Sequence, residues 1–85
     1  MIDAKQAVTN ARAFFDQVYH GGPLREVLLE EVQLSGESWM ITFGFDWQPE
    51  SGTSSIGPGD RKYKMLELDA ADGRVLSMKI VNVNA

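Results

Sequence analysis

The sequence predicts an α+β domain, one N-terminal helix packed on a curled four-stranded antiparallel meander sheet in the order αββββ. Three observations predict it. Apolar residues recur with a helical period as far as Val18. After Pro23 the period drops to two. The alternating segments are then separated by short turn signals and by one long stretch rich in Gly, Pro and Ser. The 85 residues form one domain, 1–85, without internal repeats. A chain of this size hides only about 60% of its unfolded surface, so its core is small.

Ala4, Ala7, Val8, Ala11, Phe14, Phe15 and Val18 fall on one stripe of the helix, with Lys5, Thr9, Arg12 and Asp16 mainly opposite. Asp3 is placed to cap the first turn, and Gln6 stands where a capping-box partner reaches back. A glycine of the Gly21-Gly22 pair is expected to close the helix in a left-handed conformation, and Pro23 to prevent its continuation. The early alanines allow close approach to the sheet, while Phe14 and Phe15 fill the wider gap. If Phe14 is core, its truncation costs about 3–5 kcal/mol.

The first strand is expected over 25–34, with Leu28, Val32 and Leu34 on one face, Val27 and Leu29 on the other, and Glu30 interrupting. That mixture points to a bulge. Ser35-Gly36-Glu37-Ser38 is a turn. In the second strand, 39–47, Trp39, Ile41, Phe43, Phe45 and Trp47 alternate with Met40, Thr42, Gly44 and Asp46. Five large side chains on one face need a cover, and the helix stripe supplies it. Residues 48–60 form a long flexible loop, and a loop of that length in so small a domain is functional or disordered. Strands at about 61–69 and 74–82 follow, joined by Asp69-Ala70-Ala71-Asp72-Gly73. There Asp69 can accept from N–H groups ahead of it, and Gly73 can take positive φ. Leu76, Met78 and Ile80 share a face of the last strand. On the third, the pair Leu66 and Leu68 competes with Tyr63 and Met65 for the interior.

Composition excludes several classes of function. No cysteine is present, so disulfide and thiolate chemistry are absent. One histidine, His20, excludes multi-histidine metal centres and leaves little for acid–base work near neutrality. A net charge of −4 argues against nucleic-acid binding. No apolar run approaches the roughly 18 residues of a membrane span, and the N-terminus has no signal-peptide pattern. The expected location is therefore the cytoplasm, with no membrane partner and no cofactor.

Tyr63-Lys-Met-Leu-Glu-Leu-Asp-Ala-Ala-Asp-Gly-Arg-Val-Leu76 resembles the closing hairpin of PepSY domains: an aromatic-led strand, Asp-Ala, two turn residues, Gly, and a Val-Leu strand. Asp72 stands where that family usually has Thr. The opening helix, with Ala7, Val8 and Ala11 ahead of an aromatic pair, is similar to the start of such domains. The resemblance implies a cystatin-like helix-on-sheet fold and a non-catalytic role, often the inhibitory or chaperone-like part of a peptidase propeptide. It transfers no active-site residues.

No catalytic set and no metal set emerges from the residues themselves. His20 is expected in the helix's last turn, where a cation interacts favourably with the dipole. Asp69 and Asp72 are turn residues, since their spacing lacks the length and distal glutamate of a Ca²⁺ loop. Asp46 and Glu50 flank the loop mouth and come nearest to an acid–base pair. Gly57-Pro58-Gly59 lacks the Lys-Ser/Thr and the helix of a phosphate cradle. Arg61, Lys62 and Lys64 form the basic cluster, with Arg74 and Lys79 on the neighbouring strand, while Glu26, Glu30, Glu31 and Glu37 gather on the first hairpin.

The expected function is thus a small non-enzymatic interaction module for an unidentified protein partner, inhibitory or regulatory toward, for example, a peptidase. It would bind through the open sheet face, an exposed strand edge and the 48–60 loop. Trp47, Glu50, Ile56, Arg61, Lys62 and Lys64 are the candidate partner-binding residues. Self-association into a homodimer is a variant of the same reading. The alternative is a small-ligand binder or minor enzyme, with a pocket of about 300 Å³ or more between helix and sheet near Phe15, Trp47 and Asp46.

Overall fold

A computed structural model describes residues 1–20, 22, 24–47 and 60–81, with the side chains of Trp47 and Asp60 outside that description. The chain forms α1 (Ala4–Val18), β1 (Leu24–Ser35), β2 (Ser38–Trp47), β3 (Asp60–Asp69) and β4 (Val75–Ile80). The four strands make one antiparallel sheet in the order β1-β2-β3-β4. The expected helix-then-meander order is therefore the observed one, and the sheet is not closed. Asp60, expected in the loop, opens β3, and the rest of the 48–60 loop lies outside the described residues.

The Asp3 carboxylate accepts from the Gln6 N–H at 2.8 Å, as an N-cap should. The Gln6 side chain does not close a capping box: its amide donates forward to Asn10 Oδ1 at 2.8 Å, one helical turn on. The helix closes on Tyr19, whose N–H donates to the Phe15 carbonyl and whose φ of −105° is not left-handed. A right-handed backbone suffices there, so no glycine is required. Gly21 and Pro23 lie outside the described residues.

One face of the sheet, the helix-side face, carries the core: Ala7, Ala11 and Phe15 from α1 against Ile41, Phe43 and Phe45 from β2 and Leu66 and Leu68 from β3. The contest on β3 resolves for Leu66 and Leu68 because they pair with Ile41 and Trp39, under the helix. Tyr63 and Met65 consequently take the opposite, open face with Thr42 and Gly44. Phe15 is the ring that seats the helix, with centroids 5.3 Å from Phe43 and 5.5 Å from Phe45. Phe14 is only partly buried beside this cluster, contrary to the equal role expected for the two rings.

The helix crosses the sheet obliquely. Its start is tied to the β3–β4 turn, where Ile2 N–H donates to Ala70 O and Asn10 Nδ2 to Gly73 O. Trp39 Nε1 donates to Ile2 O at 3.2 Å. Its end lies near β1, among Leu24 and Val27. Fifteen residues span about 22 Å, whereas ten strand residues span about 33 Å, so one helix cannot cover the whole face. The corner left over holds Lys62 and Ile80, both exposed, although they share that face with the core.

Two turns behave as their residues predict. Gly36, with φ of 62°, occupies the first position of a two-residue hairpin connection, which demands positive φ there. At the β3–β4 turn the Asp69 carboxylate accepts from Ala71 N–H at 2.8 Å, and Gly73 has φ of 79°. Asp72 adds a bond from Arg74 N–H at 2.9 Å. The edge strands depart from simple alternation. In β1 the pairing slips at Glu26-Val27 and again at Glu30. The face expected to hold Leu28, Val32 and Leu34 is therefore divided: Leu28 pairs with Gly44 on the open face, while Leu29, Val32 and Leu34 pair with the helix-side residues Phe43, Ile41 and Trp39. In β4 Met78 and Ile80 share the helix-side face as expected, but a slip at Leu76 brings Val75 opposite Leu68 in the place expected for Leu76.

Candidate functional site

The basic cluster read from the sequence is split by the sheet. Lys62 and Lys64 pair with Phe45 and Phe43 and so lie on the helix-side face, while Arg61 pairs with Asp46 on the open face. Arg61 is also committed within the chain. Its Nη1 donates to Asp46 Oδ1 and to the Glu26 carbonyl, both at 3.1 Å, and its Nη2 donates to Glu30 Oε2 at 3.1 Å. One guanidinium thereby joins β1, β2 and β3. Burial is the largest single influence on its pKa and pulls it down. Hydrogen bonds to Glu30 and Asp46, with their negative charges, outweigh that, and the net shift is upward. A base held above its ordinary pKa contributes stability that is complete below that value and is lost only as pH climbs through the raised one. Arg61 is therefore a charged clamp throughout the neutral range.

The clamp explains the local sequence. Gly44 sits beneath it, and a Cβ there would come within 2.6 Å of Glu30 Oε2 and 2.9 Å of the Tyr63 ring. Glu26, at the first β1 slip, has φ of 53°, and its carbonyl is turned to Arg61. Asp46, half of the nearest acid–base pair in the sequence, is thus an ion-pair partner, and Glu50 lies outside the described residues. Arg74 approaches Asp69 at 3.6 Å. Lys79 lies on the open face opposite Met65. Among the described residues, no group of three His, Asp or Glu side chains converges on a common point.

Of the other candidates, Glu50 and Ile56 lie outside the described residues, as does the Trp47 side chain. Trp39 packs against the core, as expected. His20 lies beyond the last helical turn, because α1 ends at Val18 and Tyr19 is its cap. It lines an open cleft of about 320 Å³ formed by Arg12, Asp16 and Tyr19 from the helix end and by Leu24 and Val27 from β1, with Phe15 at its inner wall. This cleft shares only Phe15 with the pocket expected near Trp47 and Asp46. Two of its polar groups, Arg12 Nε and Asp16 Oδ1, already pair at 2.9 Å.

The feature that sequence reasoning missed is the distribution of exposed apolar side chains. Seven large ones are exposed among the described residues, and five of them, Leu28, Leu29, Leu34, Leu76 and Ile80, lie on the two edge strands. The Arg61 clamp did carry a signal. Asp46 and Arg61 stand just inside the two ends of the long loop, where a hairpin pairing brings them opposite. No protein-family model, curated protein or solved structure matches this chain. No described helix is long and apolar enough to cross a membrane.

Proposed function

We propose that this chain is a small non-enzymatic interaction module that takes a protein partner along the edges of its sheet. The concentration of exposed apolar side chains on β1 and β4 carries this reading. An edge strand offers unpaired N–H and C=O groups to an incoming strand, and exposed leucine and isoleucine beside them add apolar contact. Ile80 is 73% exposed on β4. Val81 N–H donates to Tyr63 O across β3 and β4. By the alternation of an antiparallel ladder, the N–H groups of Met78 and Ile80 point away from β3, toward a partner. The 48–60 loop, with Glu50 and Ile56, and the lysines Lys62 and Lys64 belong to the same proposal as contributors to selectivity. So does the inhibitory role toward a peptidase that the PepSY-like hairpin implies.

Ile80→Pro tests the reading, because it removes an outward donor without removing a β3–β4 bond. Capture from host lysate by wild type, loss with folded Ile80→Pro, and slowed amide exchange over 75–80 in the wild-type complex are the expected results. Equal capture by both proteins would reject the β4 edge. The 320 Å³ cleft favours a second reading, a small-ligand site at the helix end. A fragment screen by NMR that shifts Arg12, Tyr19 and Leu24 together, and loses those shifts in Tyr19→Ala, would support it.

A further inference from the structure

The two edges of the sheet are chemically matched to each other. Following the pairings across all four strands gives six rows, and each row ends on β1 at one side and near β4 at the other. Leu34, Trp39, Leu68 and Val75 make one row, and Gln33, Met40, Glu67 and Ser77 make the next. Val32 ends in Met78, Glu31 in Lys79, and Leu29 in Ile80. Leu28 ends in Val81 through the Tyr63–Val81 bond. Apolar ends meet apolar ends, the amide Gln33 meets the hydroxyl Ser77, and the acid Glu31 meets the base Lys79.

We propose that the partner of the β4 edge is the β1 edge of a second copy of this chain, so that the sheet continues from one molecule to the next. The inference rests on the edge-binding reading above and names its partner. Direction allows it. In an antiparallel meander of four strands, β1 and β4 run oppositely, so a copy displaced along the sheet presents β1 antiparallel to β4. Register allows it as well. Continuing the rows sets Lys79 against Glu31 of the next copy, and Ile80 against its Leu29. All four of these side chains are exposed in the single chain. The outward groups of Met78 and Ile80 fall in the rows that lack a β3–β4 bond, as the next ladder requires.

Charge selects this arrangement over a two-fold one. β1 carries Glu26 and Glu31 against Arg25, with Glu30 held by Arg61 within the chain, whereas β4 carries Lys79 with no acid. Pairing β1 with β1 gathers acids, and pairing β4 with β4 gathers bases, while β1 with β4 brings opposite charges together. The contact is heterologous, so it does not stop at two copies. The slips at Glu26-Val27 and Glu30 leave Glu31–Ser35 as the regular run of β1 and put Leu29 beyond a bulge, which keeps the association weak, while the Glu31–Lys79 pairing makes it sensitive to salt.

Sedimentation of the full chain from micromolar to millimolar concentration tests the proposal, with variants confirmed as folded by circular dichroism. Wild type is expected to rise from its monomer mass of 9.4 kDa past the dimer, with the rise suppressed by high salt. Glu31→Lys and Lys79→Glu each set two like charges against one another in the row that pairs positions 31 and 79, and each is expected to stay at the monomer mass. Their equimolar mixture is expected to recover the rise, since each variant supplies the edge the other lacks. A wild type that is monomeric throughout, a rise that stops at the dimer, or a mixture that stays monomeric would overturn the proposal. A monomeric wild type that still captures another protein, lost with Ile80→Pro, would overturn self-pairing and leave the edge reading standing. Loss of both would fall on that reading itself.

Discussion

Glu26 is the one described residue other than glycine with positive φ, and nothing in its side chain suits it to that conformation. A left-handed non-glycine residue costs on the order of 1–3 kcal/mol and persists only where its surroundings hold it. Here the Arg61 guanidinium holds its carbonyl. Glu26→Gly should therefore raise stability by about 1 kcal/mol, because the bond to Arg61 uses only the backbone. Urea unfolding with an unchanged slope would measure it, and a loss of stability would show that the strain has been misassigned. Gly44 works in the opposite sense. A methyl group there displaces Glu30 and Tyr63 together, so Gly44→Ala should cost about 1–3 kcal/mol, the range for overpacking. Arg61→Gln should cost more than a single surface ion pair, each of which is worth about 0–1 kcal/mol, because three partners are released at once. With a pKa raised above its ordinary value, that cost should be the same from pH 6 to pH 9.

At the scale of elements, the helix and the two edge strands make opposite use of their apolar residues. The helix concentrates them in one stripe and buries Ala7, Ala11 and Phe15 completely, or nearly so. Phe15→Ala should cost about 3–5 kcal/mol, enough to unfold much of the population of so small a domain. Phe14→Ala should cost distinctly less, since that ring keeps part of its contact with water. The two melting temperatures, measured side by side, give the order, and equal losses would contradict the packing described. The edge strands instead spend apolar residues on their exposed sides. Each bulge shifts the alternation by one residue, which turns Leu28 onto the open face and leaves Leu76 at an extra position. A leucine exposed by a bulge contributes little to the stability of the single chain. Leu28→Ser or Leu76→Ser should therefore change the unfolding free energy measured in urea by no more than about 0.5 kcal/mol, as for other surface substitutions, while weakening any strand-edge contact.

For the whole molecule, the order of one helix and four strands was legible because period alone distinguishes them: 3.6 before Pro23 and 2 after it. The turns were legible for local reasons, since Gly36 and Gly73 adopt the positive φ that their turns need. Element limits followed to within a residue or two, because caps and turns are contacts between near neighbours in the chain. What concerns contacts between distant residues was not legible. Leu66 and Leu68 win the interior over Tyr63 and Met65 only through their register against Trp39 and Ile41. The separation of Arg61 from Lys62 and Lys64 follows from strand alternation alone and its pairing with Asp46 from the hairpin, but Glu30 reaches it only by way of a bulge. The exposed corner at Lys62 and Ile80 depends on the oblique path of a helix too short to cover the sheet. Local conformational preference is written residue by residue and can be read from one strand of sequence. Register, bulges and helix crossing are set by the packing of side chains far apart in the chain, so the clamp and the matched edges exist only once the sheet has formed.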